Sequence, residues 1–127
     1  MNQTFLDICE KYHIIYMEII DTSHMTRESW GNINHLPYKG LYNSLLGDDD
    51  QIDNLLHMLK NGNEPYQTWR QGNSVGLCFI QQNHLICLFY NSEKRGIESF
   101  NYSQEVFDSF STLESCGNVD YSNPKKV

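Results

Sequence analysis

Gly72-Asn-Ser-Val-Gly76 sets a serine between two glycines at the spacing of a nucleophile elbow, the turn that exposes a hydrolase serine between a strand and a helix. The residues that follow, 75–90, read as strand instead of helix, and a chain of 127 residues is too short for that hydrolase fold. Ser74 is therefore read as part of a glycine-flanked turn. The cysteines Cys9, Cys78, Cys87 and Cys116 could supply a nucleophile, a metal thiolate or a disulfide, but no two form C-x-x-C. Cys9 falls on an apolar helical stripe and Cys116 near a polar tail, while Cys78 and Cys87 sit in strand-like apolar runs and read as buried thiols. His13, His24, His35, His57 and His84 include no pair three or four residues apart, so helical metal-ligand spacing is missing. Asp48, Asp49 and Asp50 offer three carboxylates, yet a calcium loop wants alternating oxygen ligands around a central glycine, and residues 48–54 contain none. Neither a phosphate-cradling glycine loop nor a dinucleotide fingerprint is present. These observations nominate no catalytic residue, no metal ligand and no cofactor. A small Cys- or His-dependent hydrolase or transferase, assembled only by folding, stands as an alternative.

Binding chemistry is better represented. Trp30, Tyr38, Trp69 and Arg70 lie in or beside turns, and their types are enriched at the centres of protein interfaces. Packing of a loop onto the domain would equally account for Trp30 and Tyr38. Asp48, Asp49 and Asp50 concentrate negative charge, although capping the helix that follows suffices to explain them. Nine basic against sixteen acidic side chains leave a net charge of −7, which disfavours nucleic-acid and anionic-membrane partners and suits a basic protein partner. The apolar runs 75–80 and 85–90 fall far below the roughly 20 residues that span a bilayer. The opening Met1-Asn2-Gln3-Thr4 shows no signal-peptide pattern, so a cytoplasmic location with reduced thiols is expected.

The elements that must position these residues follow from periodicity. Phe5, Ile8, Cys9 and Tyr12 form one helical stripe, with Asn2 or Thr4 as cap. Residues 13–20 read as a strand buried on both faces, interrupted by Glu18, which reads as a paired core carboxylate or a functional one, with an edge or strand-end position the commoner expectation. Residues 21–40 lose periodicity and read as a long loop, or one that hides a short strand. A helical turn at 41–46 precedes an Asp-started helix with the stripe Ile52, Leu55, Leu56 and Leu59, ended by a left-handed Gly62. Residues 66–70 read as a strand and 75–90 as a hairpin with Gln82-Asn83 at its tip, a register that sets Cys78 opposite Cys87. A last short strand is expected at 97–102, then a helix capped by Ser103 with the stripe Val106, Phe107, Phe110 and Leu113. The chain is thus one α+β domain at 1–116, a single antiparallel β-sheet with flanking α-helices, and a polar C-terminal tail at 117–127.

The strand at 13–20, the segment Leu36-Pro-Tyr-Lys-Gly-Leu-Tyr-Asn-Ser-Leu-Leu46 and the Asp-started helix, followed by antiparallel strands and a closing helix, resemble the profilin-like roadblock family of small scaffolds and GTPase regulators. The resemblance implies dimerisation or partner scaffolding and brings no catalytic residue with it. The leading reading is a non-enzymatic protein-binding domain that occludes or scaffolds a partner protein, of which an immunity-type inhibitor of a toxin is one form. The alternative is a roadblock-like scaffold or GTPase regulator, with a homodimer among its arrangements.

Overall fold

The computed structural model describes residues 2–113. The end of the expected domain near 116, the tail at 117–127 and Cys116 lie outside the described residues. Helix α1 (Gln3–Lys11) leads into β1 (Tyr16–Asp21) and β2 (Thr26–Gly31). After a single 3-10 turn at Ile33–His35 come α2 (Lys39–Leu46), α3 (Asp49–Asn61), β3 (Gln67–Gln71), β4 (Ser74–Gln81), β5 (His84–Asn91) and α4 (Gly96–Ser111). The five strands form one sheet in the order β2-β1-β5-β4-β3, every neighbour antiparallel. The α+β class expected from the sequence is the one observed.

Helices cover both faces, so the central strands are largely apolar and their side chains divide by the two-residue period. Val75, Leu77, Phe79, Ile86, Leu88 and Tyr90 turn toward α1 and α4, where Phe5 meets Phe110 edge-on at 5.3 Å. Cys78, Leu85, Cys87 and Phe89 turn toward α2 and α3 and meet Leu41, Leu45, Ile52 and Leu55. The hairpin tip has Gln82 and Asn83 at φ 51° and 65°, the left-handed pair that a two-residue turn requires, and Cys78 faces Cys87 as the register demands. Asn2 caps α1 by accepting from the Thr4 N–H at 2.7 Å.

Four expectations need correction, and for residues 21–40 the alternative holds. Residues 21–40 do hide a short strand, β2, which pairs with β1 along its whole length. The first four residues of that edge strand, Thr26, Arg27, Glu28 and Ser29, are solvent-exposed, so no apolar alternation announces it. Residues 97–102 are not a strand. They are the first turns of α4, which starts at Gly96 with φ +57°. Ser103, expected as a cap, is buried mid-helix, where its hydroxyl donates to the Ser99 carbonyl at 3.0 Å and lies 3.1 Å from the Tyr90 hydroxyl. Gly62 is extended (φ −80°) instead of left-handed, and its N–H closes α3 by donating to the Met58 carbonyl at 3.0 Å. Glu18, finally, is on an interior strand and only 3% exposed, so the paired core carboxylate holds and the commoner edge position does not.

Candidate functional site

Glu18 is tolerated in the sheet because its carboxylate is saturated with donors. Tyr16 and Tyr42 donate their hydroxyls to Oε1 at 2.7 and 2.9 Å, and Arg27 donates Nε to Oε2. Arg27 also donates Nη2 to the Leu46 carbonyl at 3.2 Å and to the Tyr42 hydroxyl at 3.3 Å. Burial, together with the Glu18 carboxylate, pushes the Tyr16 and Tyr42 hydroxyls up, so both remain protonated donors. Desolvation opposes the charge of Arg27, but the hydrogen bond and charge of Glu18 prevail and raise it. A pocket of about 290 Å³ opens beside this cluster. Every member is engaged in holding β2, β1 and the end of α2 together, which makes the cluster a structural staple for one sheet edge.

The thiols are sealed. Cys9, Cys78 and Cys87 are wholly buried and form no disulfide with one another. Burial, then the nearby Glu10, push Cys9 up to about 12, and burial with the facing Cys78 raises Cys87 well above its ordinary value. Reactive cysteines need the opposite environment, exposed and electropositive. Among the described residues no group of three or more His, Cys, Asp or Glu side chains gathers to hold a metal ion.

The residues singled out for binding are dispersed. Asp48 is the N-cap of α3, accepting from the Gln51 N–H at 2.9 Å, with Asp49 and Asp50 exposed in the first turn. Trp30 is half-buried on β2 against the α1–α4 core. Trp69 is half-buried on β3 against the α2–α3 core, where Gly76 is its cross-strand partner. These two edge strands are four strand spacings, about 19 Å, apart. Tyr38 and Arg70 both approach Gly72 at the β3–β4 turn. A Cβ on Gly72, whose φ is +59°, would lie 2.3 Å from the Tyr38 ring, and Arg70 donates to the Gly72 carbonyl at 3.4 Å. The same guanidinium donates to the carbonyls of Ser92 and Lys94 at 2.8 and 2.9 Å and to the Ser99 hydroxyl at 3.2 Å. Arg70 is therefore a clamp between β3 and the start of α4, and Tyr38 covers the turn while remaining 47% exposed.

The surface that residue types did not nominate lies between β3 and α4. A groove of about 540 Å³ runs there, lined by Glu64, Tyr66, Gln67, Thr68, Ser99 and Phe100 among others. Phe100 is 57% and Ile97 70% exposed, one helical turn apart on α4, so apolar surface stands beside the open sheet edge. Reading 97–102 as a strand concealed this face. The two edges of the sheet differ in chemistry. β2 carries Arg27, engaged by Glu18, together with Glu28, whereas the only charge on β3 is Arg70, folded onto loop carbonyls. Edge strands are ordinarily blunted by projecting charge, proline or a bulge.

No family model and no curated protein matches this sequence. Among solved structures, MglC from Myxococcus xanthus aligns with a TM-score of 0.53 over 85% of this chain and 93% of that one, at 10% identity. MglB from the same organism aligns with a TM-score of 0.49 over 83% of this chain and 86% of that one, at 9% identity. The MglC likeness is one of fold. It agrees with the roadblock-like order of elements read from the sequence.

Proposed function

We propose that this chain is a non-enzymatic protein-binding scaffold domain of the roadblock-like kind, and that its working surface is the β3 edge with the apolar face of α4 beside it. The open β3 edge carries this reading: a strand with no projecting charge, flanked by exposed Ile97 and Phe100. The likeness in fold favours this scaffold reading over an immunity-type inhibitor, and so does Asp48, whose carboxylate is engaged in capping α3. Either a partner protein or a second copy of the chain fits such an edge, since both can offer a strand.

Comparative capture from extracts of the native cell tests the reading. Wild-type bait, Thr68→Lys on β3 and Thr26→Lys on β2 are compared by quantitative mass spectrometry, with light scattering for self-association. The expected outcome is a partner, or a dimer, lost with Thr68→Lys and retained with Thr26→Lys. Equal capture and equal mass for all three chains would contradict it.

A further inference from the structure

Two buried thiols face each other in the interior of the sheet. Cys78 on β4 and Cys87 on β5 are direct cross-strand partners, both turned toward α2 and α3. Ser92 donates its N–H to the Asn73 carbonyl at 2.8 Å, which continues the same register as a hydrogen-bonded pair. Hydrogen-bonded and non-hydrogen-bonded pairs alternate along an antiparallel ladder, and Cys78 lies an odd number of positions beyond Asn73. Cys78 and Cys87 are therefore a non-hydrogen-bonded pair, the kind whose side chains approach most closely. Facing Cα atoms in such a pair stand about 4.5 Å apart, inside the roughly 4.4–6.8 Å that a disulfide spans. The two sulfurs lie within hydrogen-bonding reach of each other. Cys9, by contrast, has Met17 Sδ at 3.7 Å as its sulfur neighbour, in the other core layer.

We infer that Cys78 and Cys87 form a redox modification site, a dithiol that a small disulfide oxidant closes into a cross-strand disulfide. One thiolate attacks the oxidant RSSR, forming a mixed disulfide and releasing RS−. The facing thiolate attacks that mixed disulfide at the protein sulfur and releases the second RS−. One S–S bond breaks in the oxidant and one forms in the protein. Two electrons pass to the oxidant, and the two thiol protons leave on two RSH. Leu41, Leu45, Ile52 and Leu55 roof the pair, so the exchange waits on opening of the α2–α3 layer and is slow in the closed chain. The bond ties β4 to β5 and does not depend on which sheet edge meets a partner.

The folded full chain is incubated with excess hydroxyethyl disulfide, then denatured and alkylated with iodoacetamide. Trypsin cuts after Arg70 and Lys94, so both cysteines fall on the peptide 71–94. The expected product is that peptide without alkylation and lighter by two hydrogens than its reduced form. Treatment with dithiothreitol before alkylation restores two modified thiols. The oxidised chain is expected to unfold at a urea concentration about 1 M higher than the reduced one, and Cys78→Ala to abolish that shift. Peptide 71–94 still doubly alkylated after the oxidant, or carrying separate mixed disulfides, would overturn the inference. So would a bridge that forms only above the urea midpoint, a lowered midpoint on oxidation, or a shift that persists in Cys78→Ala.

Discussion

Removing the Asp48 carboxylate takes away the acceptor of the Gln51 N–H at the start of α3, where backbone donors have no partners within the helix. Asp48→Ala is expected to lower stability by about 1 kcal/mol, read as a shift in urea midpoint, and to leave partner capture unchanged. Asp49→Ala, exposed and without that bond, is expected to cost less than half as much. A loss of partner with a stable Asp48→Ala chain would restore the acidic run to the binding surface. The same distinction applies to Arg70. Its type suggested an interface anchor, whereas its four hydrogen bonds make it the clamp that holds α4 beside β3. Residue type alone could not separate those roles, because guanidinium geometry suits backbone carbonyls of the same chain as well as it suits a partner.

At the scale of elements, the paired strands β4 and β5 were legible to the residue, since apolar runs joined by Gln82-Asn83 admit one register that buries both faces. β2 was not legible because its outer residues face water and it pairs only through its backbone. The start of α4 was not legible because Ile97, Phe100 and Tyr102 look like strand residues, and Tyr102 is the one of the three that turns inward, donating its hydroxyl to the Tyr12 carbonyl. The groove beside β3 stayed hidden for the same reason. The packed helices and sheet also fix how the fold responds to alkali. Cys9 ionises near 9.0 when free and near 12 in the folded chain, so the folded state holds its proton more tightly. Its contribution is fully present below about pH 9 and is lost as pH rises toward 12, and Cys87, also raised, acts in the same direction. Urea midpoints measured from pH 8 to 12 should fall across that window, each such thiol adding up to about 1.4 kcal/mol per pH unit. Cys9→Ala should flatten the slope. A midpoint constant from pH 9 to 11 would show these thiols to be exposed.

For the molecule as a whole, three layers leave two strand edges, and the account assigns them different work. The β2 edge is stapled by Arg27, Glu18, Tyr16 and Tyr42 to its neighbour and to α2, while the β3 edge lies beside a groove lined by Phe100 and Glu64. The likeness of fold was legible in the order of elements, with β2 and the start of α4 the parts that order missed. The binding edge was not, because it depends on which strand ends the sheet and on what stands beside it. Amide hydrogen exchange, compared with and without the captured partner, reads that assignment most directly. The account predicts new protection at 67–71 and in the first turns of α4, with exchange at 26–31 unchanged. Protection at 26–31 or around Asp48, with 67–71 unaltered, would contradict it.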